Sequence, residues 1–180
     1  MMEVRFHGRG GQGMKTAAEM FARAAYLAGN QTQDFPMYGA ERRGAPITAF
    51  VRYDKHPIAS VGYIFEPDAV VIADDSLDFD HMLRGVRPSS MILINTGQAP
   101  GFLRKMTRAE THWINATDIA LKIMGRPVFN CALLGALVKI TKGVNLEHLK
   151  KAIAIELEHH GPTVVEQNIK MAETGHRMVA

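Results

Sequence analysis

One cysteine, Cys131, stands in a chain of 180 residues. A lone thiol excludes an intrachain disulfide framework, a paired-cysteine zinc site and a four-cysteine iron–sulfur cluster. It also suits a reducing compartment. Long apolar runs are missing too. No stretch approaches the roughly 18 consecutive apolar residues of a membrane-crossing helix, and Met1-Met2-Glu3-Val4-Arg5 lacks the apolar core of a signal peptide. The expectation is a soluble cytoplasmic protein with no membrane partner. Lys and Arg number 21 against 18 Asp and Glu, a formal charge of +3 spread along the chain. No basic run forms a nucleic-acid tail. Apolar residues make up 47% and charged residues 22%, the balance of an ordinary globular protein. Residues 1–180 are read as a single domain with one core.

The pattern along the chain is a mixture of strands and helices. Residues 3–7 read as a strand, 8–13 as a tight turn and 14–27 as an amphipathic helix with Ala17, Ala18, Phe21, Ala25 and Ala28 on its apolar face, stopped by Gly29-Asn30. Residues 31–35 are a weak strand and 34–46 a loop. Residues 47–53 and 58–61, joined by Asp54-Lys55-His56-Pro57, read as a hairpin. Two continuous apolar runs, 69–73 and 91–94, suit strands buried on both faces, and 112–116 is a shorter third. The rest is helical. Thr117 or Asp118 can cap 119–124, which Gly125-Arg126-Pro127 closes. Ala132, Gly135 and Ala136 in 131–140 predict close helix packing. Residues 146–159 and 163–172 are two more helices, with a frayed tail behind. The fold class predicted is α/β: a three-layer α/β/α domain with a mixed, mostly parallel sheet, Rossmann-like.

The turn Gly8-Arg9-Gly10-Gly11-Gln12-Gly13 nearly satisfies two phosphate motifs. It fits G-x-G-x-x-G, and glycines before a helix N-terminus let backbone N–H groups approach an anion, with Arg9 adding positive charge. A dinucleotide site also requires an acidic residue closing the second strand about 20 residues on. Asp34 has the separation, but Gln31-Thr32-Gln33 is a poor buried strand. The triphosphate motif needs Lys directly after the last Gly. Here Met14 intervenes before Lys15, which turns the side chain by about 100°. A purely structural turn is the third possibility.

A second constellation, Phe35-Pro36-Met37-Tyr38-Gly39-Ala40-Glu41-Arg42-Arg43-Gly44-Ala45-Pro46, sets paired arginines between glycines and prolines. Arg forms two parallel hydrogen bonds to carboxylate or phosphate, so Arg42 and Arg43 could complete an anion pocket. Alone, the stretch reads equally as a solvated loop with a local Glu41 salt bridge. The two motifs together, followed by Ala49-Phe50-Val51-Arg52, Lys55-His56-Pro57-Ile58, Pro127-Val128-Phe129-Asn130 and Leu133-Leu134-Gly135-Ala136, resemble the gamma subunit of 2-oxoacid:ferredoxin oxidoreductases, of the pyruvate/ketoisovalerate type. The likeness spans nearly the whole chain.

That resemblance implies a subunit with no activity alone. Its partners would be the alpha, beta and delta type subunits of an oxidoreductase that decarboxylates a 2-oxoacid on thiamine diphosphate with Mg2+, releases an acyl-coenzyme A, and passes electrons through iron–sulfur clusters to ferredoxin. No cofactor would be bound by this chain alone. Gly8, Arg9, Gly10, Gly11, Gln12, Gly13, Tyr38, Glu41, Arg42 and Arg43 are the candidate residues for a phosphate-bearing ligand such as coenzyme A, or for subunit contact. No catalytic residue and no metal ligand is expected. A homodimer could form in isolation. Two other readings compete: a free-standing NAD(P)-binding oxidoreductase using Gly8, Gly10, Gly13 and Asp34, and a non-enzymatic module sensing a nucleotide or acyl-coenzyme A.

Three further features invite a site. Asp74, Asp75, Asp78 and Asp80 cluster after a strand, where a helix cap at Ser76 or Asp78 is the plainer expectation than a cation. His159-His160 read as cations at a helix C-terminus. Cys131 lies in an apolar stretch and reads as a buried structural thiol.

Overall fold

The computed structural model of the chain describes residues 1–37 and 44–180, with the backbone alone of Pro36. Strand β1 (Met2–Arg9) enters the glycine turn, and helix α1 (Met14–Leu27) returns along the sheet. Side chains of a strand alternate between faces. Val4 and Phe6 therefore meet α1, where Phe6 packs edge-on to Phe21 at 6.1 Å between ring centres. Arg5 and His7 project to the other face and line a hollow there.

Strands β2 (Gln31–Pro36), β3 (Pro46–Asp54), β4 (Ala69–Ile72), β5 (Met91–Asn95) and β6 (Glu110–Ile114) complete the sheet. Among the described residues its order is β2-β3-β1-β4-β5-β6. β1, β4, β5 and β6 are mutually parallel, and β3 runs antiparallel between β1 and β2. The sheet is mixed and mostly parallel, as the sequence predicts.

Two cores make the three layers. Val71 and Leu93 join Val4 and Phe6 against α1, α4 (Ala116–Met124), α5 (Asn130–Ile140), α6 (Leu146–Leu157) and α7 (Pro162–Met178). Val70, Ile72, Ile92 and Ile94 face the short helices α2 (Phe79–Met82) and α3 (Leu103–Met106). This alternation explains why 69–73 and 91–94 are continuously apolar: every residue meets one core or the other. The small residues of α5 do predict close packing. A Cβ on Gly135 would overlap the Ala172 carbonyl of α7, and one on Gly175 would overlap the Ala132 carbonyl.

Four expectations are corrected. Residues 58–61 form no strand, because β3 already has β1 and β2 on its two edges. Instead residues 62–65 are tied to the sheet by side chains. Arg52 donates to the Gly62 and Tyr63 carbonyls at 2.7 and 3.3 Å, and Arg5 to the Ile64 carbonyl at 3.3 Å. The cap of α4 is Asn115, whose Oδ1 accepts from Asp118 N at 2.9 Å. Thr117 Oγ1 is used elsewhere, accepting from Asn95 at 2.9 Å. The last helix runs to Met178 and its tail is not frayed: Ala180 exchanges two backbone hydrogen bonds of 3.2 Å with Trp113, covering the free edge of β6. Finally, α6 stops at Leu157 rather than at residue 159, and a tighter turn, Glu158–His160, follows it with the His159 and His160 rings 4.0 Å apart. No helix among the described residues is long and apolar enough to cross a membrane.

Candidate functional site

The glycine turn sits at the carboxyl end of β1, beside the carboxyl ends of the parallel strands β4 and β5. This is the edge at which open α/β sheets place their ligands. Gly11 and Gly13 take positive φ values of 93° and 72°, which L side chains adopt only with strain. Gly13 has a second constraint. The Asn130 amide donates to its carbonyl at 3.0 Å, and a Cβ there would overlap that amide. A Cβ on Gly8 would press on Met14, Gln12 and Ala73. Helix α1 starts at Met14, and among the described residues no side chain caps its first turn. The leading N–H groups of a helix carry its positive dipole end.

Arg9 and Gln12 brace the turn internally. Arg9 N donates to Gln12 Oε1 at 2.7 Å, and both side chains converge on one carboxylate oxygen, Asp74 Oδ2, at 2.9 and 3.0 Å. The Arg9 guanidinium also donates to Ser76 Oγ at 2.8 Å and to the Gly44 carbonyl at 3.2 Å. Ser76 donates twice to Asp74 Oδ1, at 2.9 and 2.6 Å. Burial pushes the Asp74 carboxyl up, but the donors from Ser76, Gln12 and Arg9 outweigh it and hold its pKa below the ordinary value. Arg9 is thus a strut whose charge Asp74 offsets.

Of the second constellation, Tyr38, Gly39, Ala40, Glu41, Arg42 and Arg43 lie outside the described residues. Its closing residues do meet the first motif. Gly10 N donates to the Ala45 carbonyl at 2.8 Å and Gly44 N to the Gly10 carbonyl at 3.0 Å. The end of the second motif, Gly44-Ala45, is therefore a neighbour of the first in space.

The rival readings fare less well. Asp34 belongs to β2, which β3 separates from β1. Two strand spacings amount to about 10 Å, so Asp34 does not close a ribose site beside the turn. Lys15 pairs with Glu19 at 3.9 Å on the exposed face of α1. Asp78 caps α2 by accepting from Asp80 N at 3.0 Å, and among the described residues no group of three His, Cys, Asp or Glu gathers around a common point. Cys131 is buried, which pushes its thiol up to about 12.

Sequence reasoning passed over Asp74 as an anchor and Asn130 as the lock on Gly13. Asp74 carried a usable signal: an acid directly after a buried parallel strand lies at the carboxyl edge where a turn can use it. Nothing local marks Asn130.

Comparison with known proteins gives the family. The family model described as pyruvate ferredoxin/flavodoxin oxidoreductase matches residues 3–178. The chain belongs to this family. A pyruvate/ketoisovalerate oxidoreductases common subunit gamma from Thermococcus kodakarensis is 43% identical over 177 residues, covering 96% of this chain and 94% of its own. The counterpart from Thermococcus litoralis is 45% identical over 157 residues, 85% of each chain. A solved pyruvate oxidoreductase subunit from Thermotoga maritima superposes with a TM-score of 0.87 at 37% identity, over 99% of this chain and 97% of that one. Within the oxidoreductase family, then, the likeness extends over most or nearly all of each subunit.

Proposed function

We propose that this chain is the gamma subunit of a multisubunit 2-oxoacid:ferredoxin oxidoreductase, which converts pyruvate or a related 2-oxoacid to its acyl-coenzyme A and passes the electrons to ferredoxin. The observation that carries the reading is the near full-length identity of 43% to a relative named as such a gamma subunit. The chemistry of the chain suits a supporting role in the cytoplasm. Its one cysteine is buried with the thiol held protonated, so thiamine diphosphate, Mg2+ and the iron–sulfur clusters fall to alpha, beta and delta type partners. Toward coenzyme A this chain offers the uncapped start of α1 and the adjoining Gly11 and Gly13 of the turn, where backbone N–H groups suit a phosphate. Gln12 and Arg9 hold that turn in shape, and Tyr38, Glu41, Arg42 and Arg43 extend the site or the subunit contact. The exposed Val61 and Phe65 belong to the surface partners cover, and in isolation they favour pairing of two copies.

The test is capture of the tagged chain from its native cells under anaerobic conditions, with the eluate assayed for coenzyme A-dependent 2-oxoacid oxidation using a viologen dye. Co-elution of cysteine-rich and thiamine-binding chains with that activity is expected. A chain that elutes alone and inactive overturns the reading.

A further inference from the structure

Helices α6 and α7 are joined by the turn Glu158–His160, and a groove of about 520 Å³ runs between them. Ala154, Ile155, Glu158, Pro162, Val165 and Glu166 line it. Leu149, Ala152 and Ile153 carry the inner face of α6 into the core. Ile155 takes no part there and is 49% exposed in the body of the helix.

Charges around the groove are left over as well. Elsewhere on these helices they are spent within the chain. Glu156 accepts from Arg23 at 2.6 Å, and Lys150 reaches Glu147 and Glu173 at 3.2 and 3.0 Å. Lys151, Glu158 and Glu166 are all exposed, and among the described residues they have no ion-pair partner. Helical spacing puts them in order. Positions 151, 155 and 158 are i, i+4 and i+7, which share one face of α6. Along that face the side chains run cation, apolar knob, anion.

Two such faces laid antiparallel about a two-fold axis set Lys151 of each copy against Glu158 of the other. We propose that this face pairs two copies of the chain. Ile155 of each is seated against Ala154 and Val165 of the other, and Lys151 of each faces Glu158 and Glu166 of the other. A second copy suits the face better than an unrelated protein because the face is complementary to itself. It holds both the knob and the groove, and both the unpaired cation and the unpaired acids. A wholly basic partner would oppose Lys151, and a wholly acidic one would oppose Glu158 and Glu166. The contact is separate from the exposed loop at Val61.

The experiment is sedimentation equilibrium of the full isolated chain at low ionic strength, over a series reaching about 200 µM. The 19.9 kDa chain should form a dimer with a Kd of about 10 µM, the strength of a small contact. Added salt should weaken it. Ile155→Glu removes the knob and adds an acid to the groove, and should weaken pairing at least about tenfold. Lys151→Glu and Glu158→Lys should each weaken it about tenfold. The double exchange Lys151→Glu/Glu158→Lys should recover to within about threefold of the native chain, the remaining loss arising from Glu166. A chain that stays monomeric throughout the series overturns the proposal and leaves the face to some other occupant. So does a double exchange no better than either single one. A dimer that survives Ile155→Glu but is lost in Val61→Asp also overturns it, placing the contact at the loop instead. The readout is self-association of the chain alone, so its failure leaves the subunit reading to the capture experiment.

Discussion

Gly13 shows how much one missing Cβ can carry. Its φ of 72° and the Asn130 amide against its α-carbon each exclude a side chain. The left-handed strain costs an alanine about 1–2 kcal/mol and the displaced amide a similar amount. Gly13→Ala should therefore lower stability by about 3 kcal/mol, read as a shift of the urea midpoint. Gly101 meets no atom within 4 Å and serves as the control, since Gly101→Ala should stay within about 0.5 kcal/mol. Equal midpoints for the two variants would show that the turn is not locked by Asn130. Cys131 makes the opposite kind of residue-scale statement. Its thiol is buried and held protonated, and the thiolate is the reactive form. Iodoacetamide should leave the native chain unmodified and label it only under unfolding denaturant, with mass spectrometry as the readout. Labelling of the folded chain at neutral pH would place the thiol at the surface.

At the scale of elements, α5 and α7 pack backbone to backbone through Gly135 and Gly175. Gly135→Ala forces the helices apart at a cost of about 3 kcal/mol. Thermal melting of the variant should show the loss, and an unchanged Tm would mean the contact is slack. This crossing was legible in the sequence because three small residues in an apolar helix have few other uses. β4 and β5 were legible for a related reason, since strands facing two cores cannot alternate. The segment 58–61 misled because its apolar residues look strand-like, yet a strand also needs a free neighbour, and sequence does not report which edges are occupied. The ordered tail was missed likewise: Ala180 is held by the edge of β6, not by any propensity of its own. The glycine turn itself could be read, whereas its anchors could not. Asp74 and Asn130 are 65 and 117 residues from the groups they hold, and only the folded topology makes them adjacent. Arg5 and His7 were absorbed into a short strand, their burial hidden because the face they occupy is covered by an irregular segment.

On the scale of the whole molecule, burying His7 makes stability depend on pH. Burial, reinforced by Arg5 and His81, lowers its pKa from 6.5 to about 3. Between those values the unfolded chain binds a proton that the native chain refuses, so stability falls as pH falls, by about 1.4 kcal/mol per pH unit. Above pH 6.5 both states are neutral at this ring and the dependence vanishes. Other groups act in the same range. His176 is lowered by burial and by Lys139, which has the same sign, and Asp34 is raised mainly by burial, which has the opposite sign. Asp54 and Asp74 lie below their usual carboxylate value, chiefly through the N-terminal amine for Asp54, and contribute at lower pH still. All four remain in His7→Phe, so the difference between wild type and variant isolates the one ring. Urea unfolding from about pH 4.5 to 6 should give the variant a slope shallower by close to one proton, and it should therefore gain on wild type as the solution is acidified. Parallel profiles would mean that the ring takes up its proton in the folded chain, and would place it in contact with water rather than buried.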